Sequence, residues 1–87
     1  MGIANDVLYF AWLRERVGLS EERVCLPDGV DTVAALIAWQ ATRGGRHAAA
    51  FGAENRIRCA VNQEFAAPEM VLKPDDEVAF FPPVTGG

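Results

Sequence analysis

Hydrophobic residues of this chain come in short runs separated by polar turns, a pattern typical of β-strands. Proline, glycine, aspartate and asparagine mark most of the turns. The strands predicted in this way are Val7–Ala11, Arg23–Leu26, Ile57–Val61, the short segment Glu64–Phe65 and the last strand, Glu77–Phe81. The first and the last of these are the most apolar, so we expect them at the centre of a sheet.

Helical spacing is clear in one segment and weaker in two others. Beyond Asp31 or Thr32, either of which can cap a helix, apolar residues recur every three or four positions until Gly44-Gly45. Shorter helices are predicted over Trp12–Val17 and His47–Phe51. Because strands and helices do not alternate strictly, the order predicts an α+β fold with one main helix packed on one face of a mixed sheet.

The alternation of side chains leaves one face of this sheet without a cover. Successive residues of a strand point to opposite faces, so Val78 and Phe80 face one way and Phe81 the other. One helix covers one face only. We therefore expect Leu8, Phe10 and Phe81 on an open face that binds another protein. The alternative is a loop folded over them, or scattered surface apolar residues.

The carboxy terminus ends in Gly86-Gly87, which have no side chains. A backbone of this kind can enter a channel too narrow for a Cβ atom, and its tip is a main-chain carboxylate. Pro82-Pro83 makes a stiff, extended exit from the last strand. We therefore predict a folded domain over residues 1–81 and a flexible tail over residues 82–87. The alternative is a frayed terminus without a role.

Composition excludes several classes of function. The net charge is −4, and the eight Lys and Arg residues form no stripe, which argues against nucleic-acid binding. The acidic residues are either a solvated surface or a match for a partner with a basic face. The apolar runs are too short to cross a membrane and no signal peptide is recognisable, so we expect a cytoplasmic protein.

No pattern for chemistry within the chain is recognisable. Its single histidine and two isolated cysteines, Cys25 and Cys59, do not predict a metal site, and Cys59 is expected in the core. There is no phosphate-binding loop and no dinucleotide fingerprint. We therefore expect no active site and no bound cofactor in the chain alone. Any ATP needed to activate the terminal carboxylate would be used by a partner.

Three segments carry a resemblance to a known family. Leu8–Ala11, Val61–Glu64 and above all Asp76–Gly87, with its run D-E-V-A-F-F-P-P-V-T-G-G, resemble the small subunit of molybdopterin synthase. That subunit is the sulfur carrier of molybdenum cofactor biosynthesis. The resemblance covers nearly the whole chain and implies a β-grasp, ubiquitin-like fold.

The resemblance also implies a mechanism. A ubiquitin-activating-like adenylyltransferase would use ATP to adenylate the carboxylate of Gly87. Sulfur from a donor protein would then replace AMP and leave a thiocarboxylate. Gly86 would let the tail pass into the large subunit of the synthase, where sulfur is transferred to cyclic pyranopterin monophosphate to form the molybdopterin dithiolene. The chain would thus be an enzyme only as one subunit of this sulfurtransferase, which is a heterotetramer.

The same resemblance assigns contact positions. Phe10, Phe65 and Phe81 match the family's hydrophobic contacts with the large subunit, and Arg14 matches a polar one. Asp75 stands where the family usually has glycine, and aspartate tolerates a positive φ better than most residues. Two alternatives share the Gly-Gly end: the sulfur carrier of the thiamine pathway, and a ubiquitin-like modifier that is joined to lysines of other proteins.

Overall fold

The computed structural model describes residues 3–52 and 56–83, and the strands in these ranges form one mixed sheet. The strands are β1 Ala4–Tyr9, β2 Glu21–Cys25, β3 Arg58–Val61, β4 Glu64–Phe65 and β5 Glu77–Phe81. Their order across the sheet is β2-β1-β5-β3-β4, with β1 and β5 parallel and the other neighbours antiparallel. The predicted α+β class and the central position of the first and last strands are confirmed.

Three helices in the described residues pack against one face of the sheet: α1 Trp12–Val17, α2 Val33–Thr42 and α3 Gly45–Ala50. The predicted range of α1 is confirmed, and Gly18 ends it with a φ of 87°. Thr32 caps α2, since its Oγ1 accepts a hydrogen bond of 3.1 Å from the Ala35 N–H. None of these helices is long and apolar enough to cross a bilayer.

Several predicted boundaries were wrong by one to three residues. The main helix ends at Thr42 with Arg43 as its C-cap, and Gly44 instead precedes α3, which occupies 45–50 rather than 47–51. The first strand covers 4–9 rather than 7–11, the second 21–25 rather than 23–26, and the third 58–61 rather than 57–61. Ala11 has a φ of 55° and lies outside β1.

Polar residues at the start of β1 explain why its beginning was missed. Asn5 is fully buried, and its amide donates to the carbonyl oxygens of Lys73 (2.9 Å) and Asp76 (3.1 Å). Asp6 forms an ion pair of 3.1 Å with Arg23 on β2. Because these polar side chains bond to partners that are distant in sequence, the start of β1 has no hydrophobic alternation that could have predicted it.

The hydrophobic core lies between the helices and the covered face of the sheet. Val7, Tyr9, Val78 and Phe80 from β1 and β5 are buried there, as the predicted alternation requires. The Phe80 ring meets Phe51 edge to face, with 5.1 Å between centroids. The other buried apolar residues include Leu13, Leu36, Val61 and Cys59, so the prediction that Cys59 is a core residue is confirmed.

Two turns set the position of β5. Asn62 and Gln63 connect β3 to β4 with φ values of 51° and 71°, the pattern of a tight type I′ hairpin. The Asn62 side chain accepts from the Glu77 N–H (2.9 Å) and donates to Asp76 (2.9 Å). Before β5, Asp75 has a φ of 67°, so aspartate adopts the left-handed conformation expected where the family usually has glycine.

Candidate partner-docking surface

The sheet face opposite the helices carries cross-strand rows of side chains, and we call it the open face. Its middle row runs Leu8, Ala79, Ala60 and Phe65, which are successive Cα partners on β1, β5, β3 and β4. The first three are half-buried and Phe65 is 84% exposed. Because strand partners point to the same side of a sheet, this row is a continuous apolar band across four strands.

The row nearest the start of β5 is charged. Asp6 and Glu77 are Cα partners, and Arg23 on β2 is the partner of Asp6 on its other side. Arg23 forms an ion pair with Asp6 and another with Asp75. This end of the open face is therefore acidic and polar, with its arginine already paired.

The row at the end of β5 combines aromatic groups with one cation. Phe81 is the Cα partner of Arg58, and its ring lies 5.8 Å from the Phe65 ring, centroid to centroid. Phe10 follows one step beyond the Tyr9–Phe80 pair, and its N–H donates to the Phe80 carbonyl at 3.0 Å. Arg58, Cys59, Phe65, Ala66 and Phe81 line an open pocket of about 280 Å³.

Within the described residues, Leu8 and Phe81 lie on the sheet face opposite the helices, as predicted, whereas the binding of another protein to this face stays a prediction. Phe10 is 47% exposed, and Phe81 is half-buried against Phe65. Arg14 is exposed on α1, and its role as a polar contact stays a prediction. Gly86 and Gly87 lie outside the described residues, so their roles and the predicted division at residue 81 stay predictions.

A polar network that was not predicted from the sequence joins β1 and β2 to α2 and α3 on the covered side of the sheet. The Tyr9 hydroxyl donates to Glu22 Oε2 (2.6 Å) and accepts from Gln40 Nε2 (2.8 Å). Arg43 donates to both carboxylate oxygens of Glu22, at 2.9 and 3.2 Å. His47 Nε2 lies 2.8 Å from Glu22 Oε2. The alternation of Glu22 with buried Val24 was the available signal.

The network changes the acidity of its members. Burial alone would raise the pKa of Glu22, but hydrogen bonds from Arg43, Tyr9 and His47 outweigh it and lower the pKa from 4.5 to about 2. Burial, followed by the bond to Glu22, raises the pKa of Tyr9. Elsewhere, burial raises the pKa of the Cys59 thiol to about 12, so this core sulfur stays a neutral thiol.

A mixed sheet of this order with helices on one face defines the chain as a ubiquitin-like β-grasp protein. The solved structure of a Pyrococcus furiosus protein proposed as molybdopterin converting factor, subunit 1, matches with a TM-score of 0.77 and 31% identity, covering 94% of this chain and 99% of that one. Small archaeal modifier protein 1 from Haloferax volcanii matches with a TM-score of 0.69 and 27% identity, over 95% and 100% of the two chains.

Sequence comparison narrows the class to a family. The molybdopterin synthase sulfur carrier subunit of Escherichia coli is 42% identical over 81 residues, which cover 93% of this chain and 96% of the relative. The family model described as the ThiS family matches residues 7–87. The chain belongs to the ThiS family.

Proposed function

We propose that this chain is the sulfur carrier subunit of a molybdopterin synthase. Relatives from Escherichia coli and Homo sapiens, 42% and 35% identical over 96% and 92% of their own lengths, carry that name. The structural observation that carries the proposal is the place where the tail begins. Phe81, the last residue of β5, belongs to the open face and directly precedes Pro82. A protein that docks on this face therefore also receives the start of the Gly-Gly tail.

The proposed chemistry takes place at the carboxylate of Gly87. A carboxylate oxygen attacks the α-phosphorus of ATP in a ubiquitin-activating-like adenylyltransferase, and pyrophosphate leaves. Hydrosulfide delivered by a donor protein then attacks the acyl carbon and displaces AMP, and loss of the remaining proton leaves a thiocarboxylate. In the large subunit, this sulfur is transferred to cyclic pyranopterin monophosphate, and water restores the carboxylate. Gly86 has no Cβ and lets the tail pass through a narrow channel.

Docking on the large subunit uses the open face. Phe65 and Phe81 form its aromatic cluster, and Phe10, just beyond the end of β1, extends the cluster. Exposed aromatic side chains of this kind are frequent anchors of protein interfaces. Arg14 is proposed as a polar contact, and two carriers would flank a dimer of large subunits.

Intact-mass spectrometry tests the proposal. The purified full chain is incubated with its activating enzyme, ATP and a sulfur source. The expected product carries one sulfur in place of one oxygen, and fragmentation places it on Gly87. The control omits ATP, and a second control uses the chain that lacks Gly87. An unchanged mass in the complete reaction would contradict the proposal.

A ubiquitin-like modifier is the second candidate, since the small archaeal modifier protein of Haloferax volcanii shares the fold at 27% identity. The same adenylated carboxylate could acylate a lysine and form an isopeptide bond. Peptide mapping of cell extracts distinguishes the two functions. Branched peptides in which Gly87 is joined to lysines would favour the modifier.

A further inference from the structure

Arg58 is an exposed cation set among the aromatic residues of the open face. It is the Cα partner of Phe81 on β5, and it lines the 280 Å³ pocket together with Phe65, Ala66 and Phe81. Among the described residues, no carboxylate lines that pocket. The positive charge therefore stands beside the apolar groups that a docking partner would cover.

The charges near Arg58 differ from those near Arg23, which lies on β2 on the same face. Arg23 pairs with Asp6 and Asp75. Arg58, by contrast, forms no ion pair with a carboxylate of the described residues. Glu77 also belongs to the open face but lies four residues before Phe81 along β5, which is about 13 Å at 3.3 Å per strand residue. This separation exceeds the Debye length of about 8 Å at physiological salt.

Docking on Phe65 and Phe81 would remove water from the guanidinium of Arg58. An arginine that loses its hydration without gaining an acceptor destabilises a complex, whereas a carboxylate can accept two parallel hydrogen bonds from it. We propose that Arg58 pairs with a carboxylate of the large subunit and thereby selects the partner and its orientation. This inference rests on the proposed function.

The position of Arg58 explains why the pair would matter for sulfur delivery. Arg58 on β3 lies opposite Phe81 on β5. Phe81 is followed directly by Pro82-Pro83, where the tail begins. A charge pair at this point would set the direction in which the tail leaves the interface. Taken over the whole molecule, the net charge of −4 favours a basic partner. The positive charge of Arg58, however, favours an acidic group of the partner at this end of the open face.

Binding measurements with charge variants test the inference. The full chain and its large subunit are compared by surface plasmon resonance at low and physiological salt. Arg58→Glu should weaken binding at least about tenfold at low salt, because like charges then face each other. Arg58→Lys should bind within a few-fold of the wild type. Arg58→Gln should bind more weakly than Arg58→Lys and show a smaller salt dependence than the wild type.

Arg46→Glu is the matched control. Arg46 is exposed on α3, which packs on the covered side of the sheet, and the replacement changes the net charge by the same amount. Equal affinities for Arg58→Glu and Arg46→Glu would overturn the inference. Circular dichroism checks that Arg58→Glu is folded. If it is not, Arg58→Gln is compared with Arg58→Lys instead. Equal affinity and equal salt dependence of these two variants would overturn the inference.

A charge swap identifies the partner group. Each surface carboxylate of the large subunit is changed to lysine in turn, and one of these variants should restore binding to Arg58→Glu. Failure of every swap would overturn the inference even if the single variants bind weakly. Failure of the wild-type chain to bind the large subunit at all would instead contradict the proposed function.

Discussion

Replacing Glu22 with glutamine tests the polar network that joins β2 to α2 and α3. Glutamine keeps the size of the side chain but removes the charge that accepts from Tyr9 and Arg43. The pKa of Glu22 is about 2 in the folded protein, whereas the ordinary pKa of a glutamate is 4.5. The folded state therefore favours the ionised carboxylate. Its stabilising contribution is therefore complete above pH 4.5 and is lost as the pH falls towards 2.

The magnitude follows from the two pKa values. Each pKa unit is worth about 1.4 kcal/mol, so the gap between 4.5 and about 2 corresponds to about 3 kcal/mol for a group that is mostly buried. As the pH falls, Glu22 is protonated first in the unfolded chain, where its pKa is higher. The dependence of stability on proton binding therefore predicts that about 2 kcal/mol of the stabilisation is lost between pH 5 and pH 3. That window also lies below the ordinary titration range of histidine.

Urea unfolding followed by circular dichroism at pH 5 and pH 3 measures the effect. The wild type should be more stable than Glu22→Gln at pH 5, and the difference should shrink by about 2 kcal/mol at pH 3. Glu21→Gln is the control, because Glu21 is an exposed neighbour on the same strand and should follow the wild type. Equal losses in the wild type and Glu22→Gln between the two pH values would refute the reasoning.

Four further predictions use other parts of the molecule. Thr32→Ala should lower the free energy of unfolding by about 1 kcal/mol in urea, because it removes the cap of α2; an unchanged midpoint would show that the cap contributes nothing. Phe81→Ala should weaken binding of the large subunit by about 2–4 kcal/mol in calorimetry, and unchanged affinity would remove Phe81 from the interface. Deleting Gly87 should abolish sulfur transfer without lowering the thermal midpoint, and retained activity would refute the tail mechanism. A thiol-alkylating reagent should modify exposed Cys25 in the native protein and spare buried Cys59, whereas equal labelling detected by mass spectrometry would contradict the burial of Cys59.

Local patterns were sufficient for much of the fold. The last strand, Glu77–Phe81, and the short helix Trp12–Val17 were predicted with the boundaries that the structure has. Both have a clear apolar period and a strong turn or glycine at one end. The same alternation predicted that Phe81 would lie on the face opposite Phe80, and it does so because no bulge interrupts β5.

Features that depend on distant partners were missed. Asn5 is buried in β1, where the carbonyls of Lys73 and Asp76 accept its amide protons. Glu22 is polar on a buried face, and it is tolerated there because Arg43, from another element, neutralises it. No local hydrophobic period predicts such residues, because the free-energy cost of burying them is offset by groups that lie far away in the chain.

The same distinction between local and distant partners applies to the candidate site. Hydrophobic alternation and the Gly-Gly end already indicated an open face and a tail, because both are properties of neighbouring residues. The parallel pairing of β1 with β5 and the antiparallel pairing of β3 with β5 bring Phe10 and Arg58 to opposite sides of Phe81. Strand order is set by the packing of the whole sheet against its helices. For that reason, the cation beside the start of the tail became visible only in the folded chain.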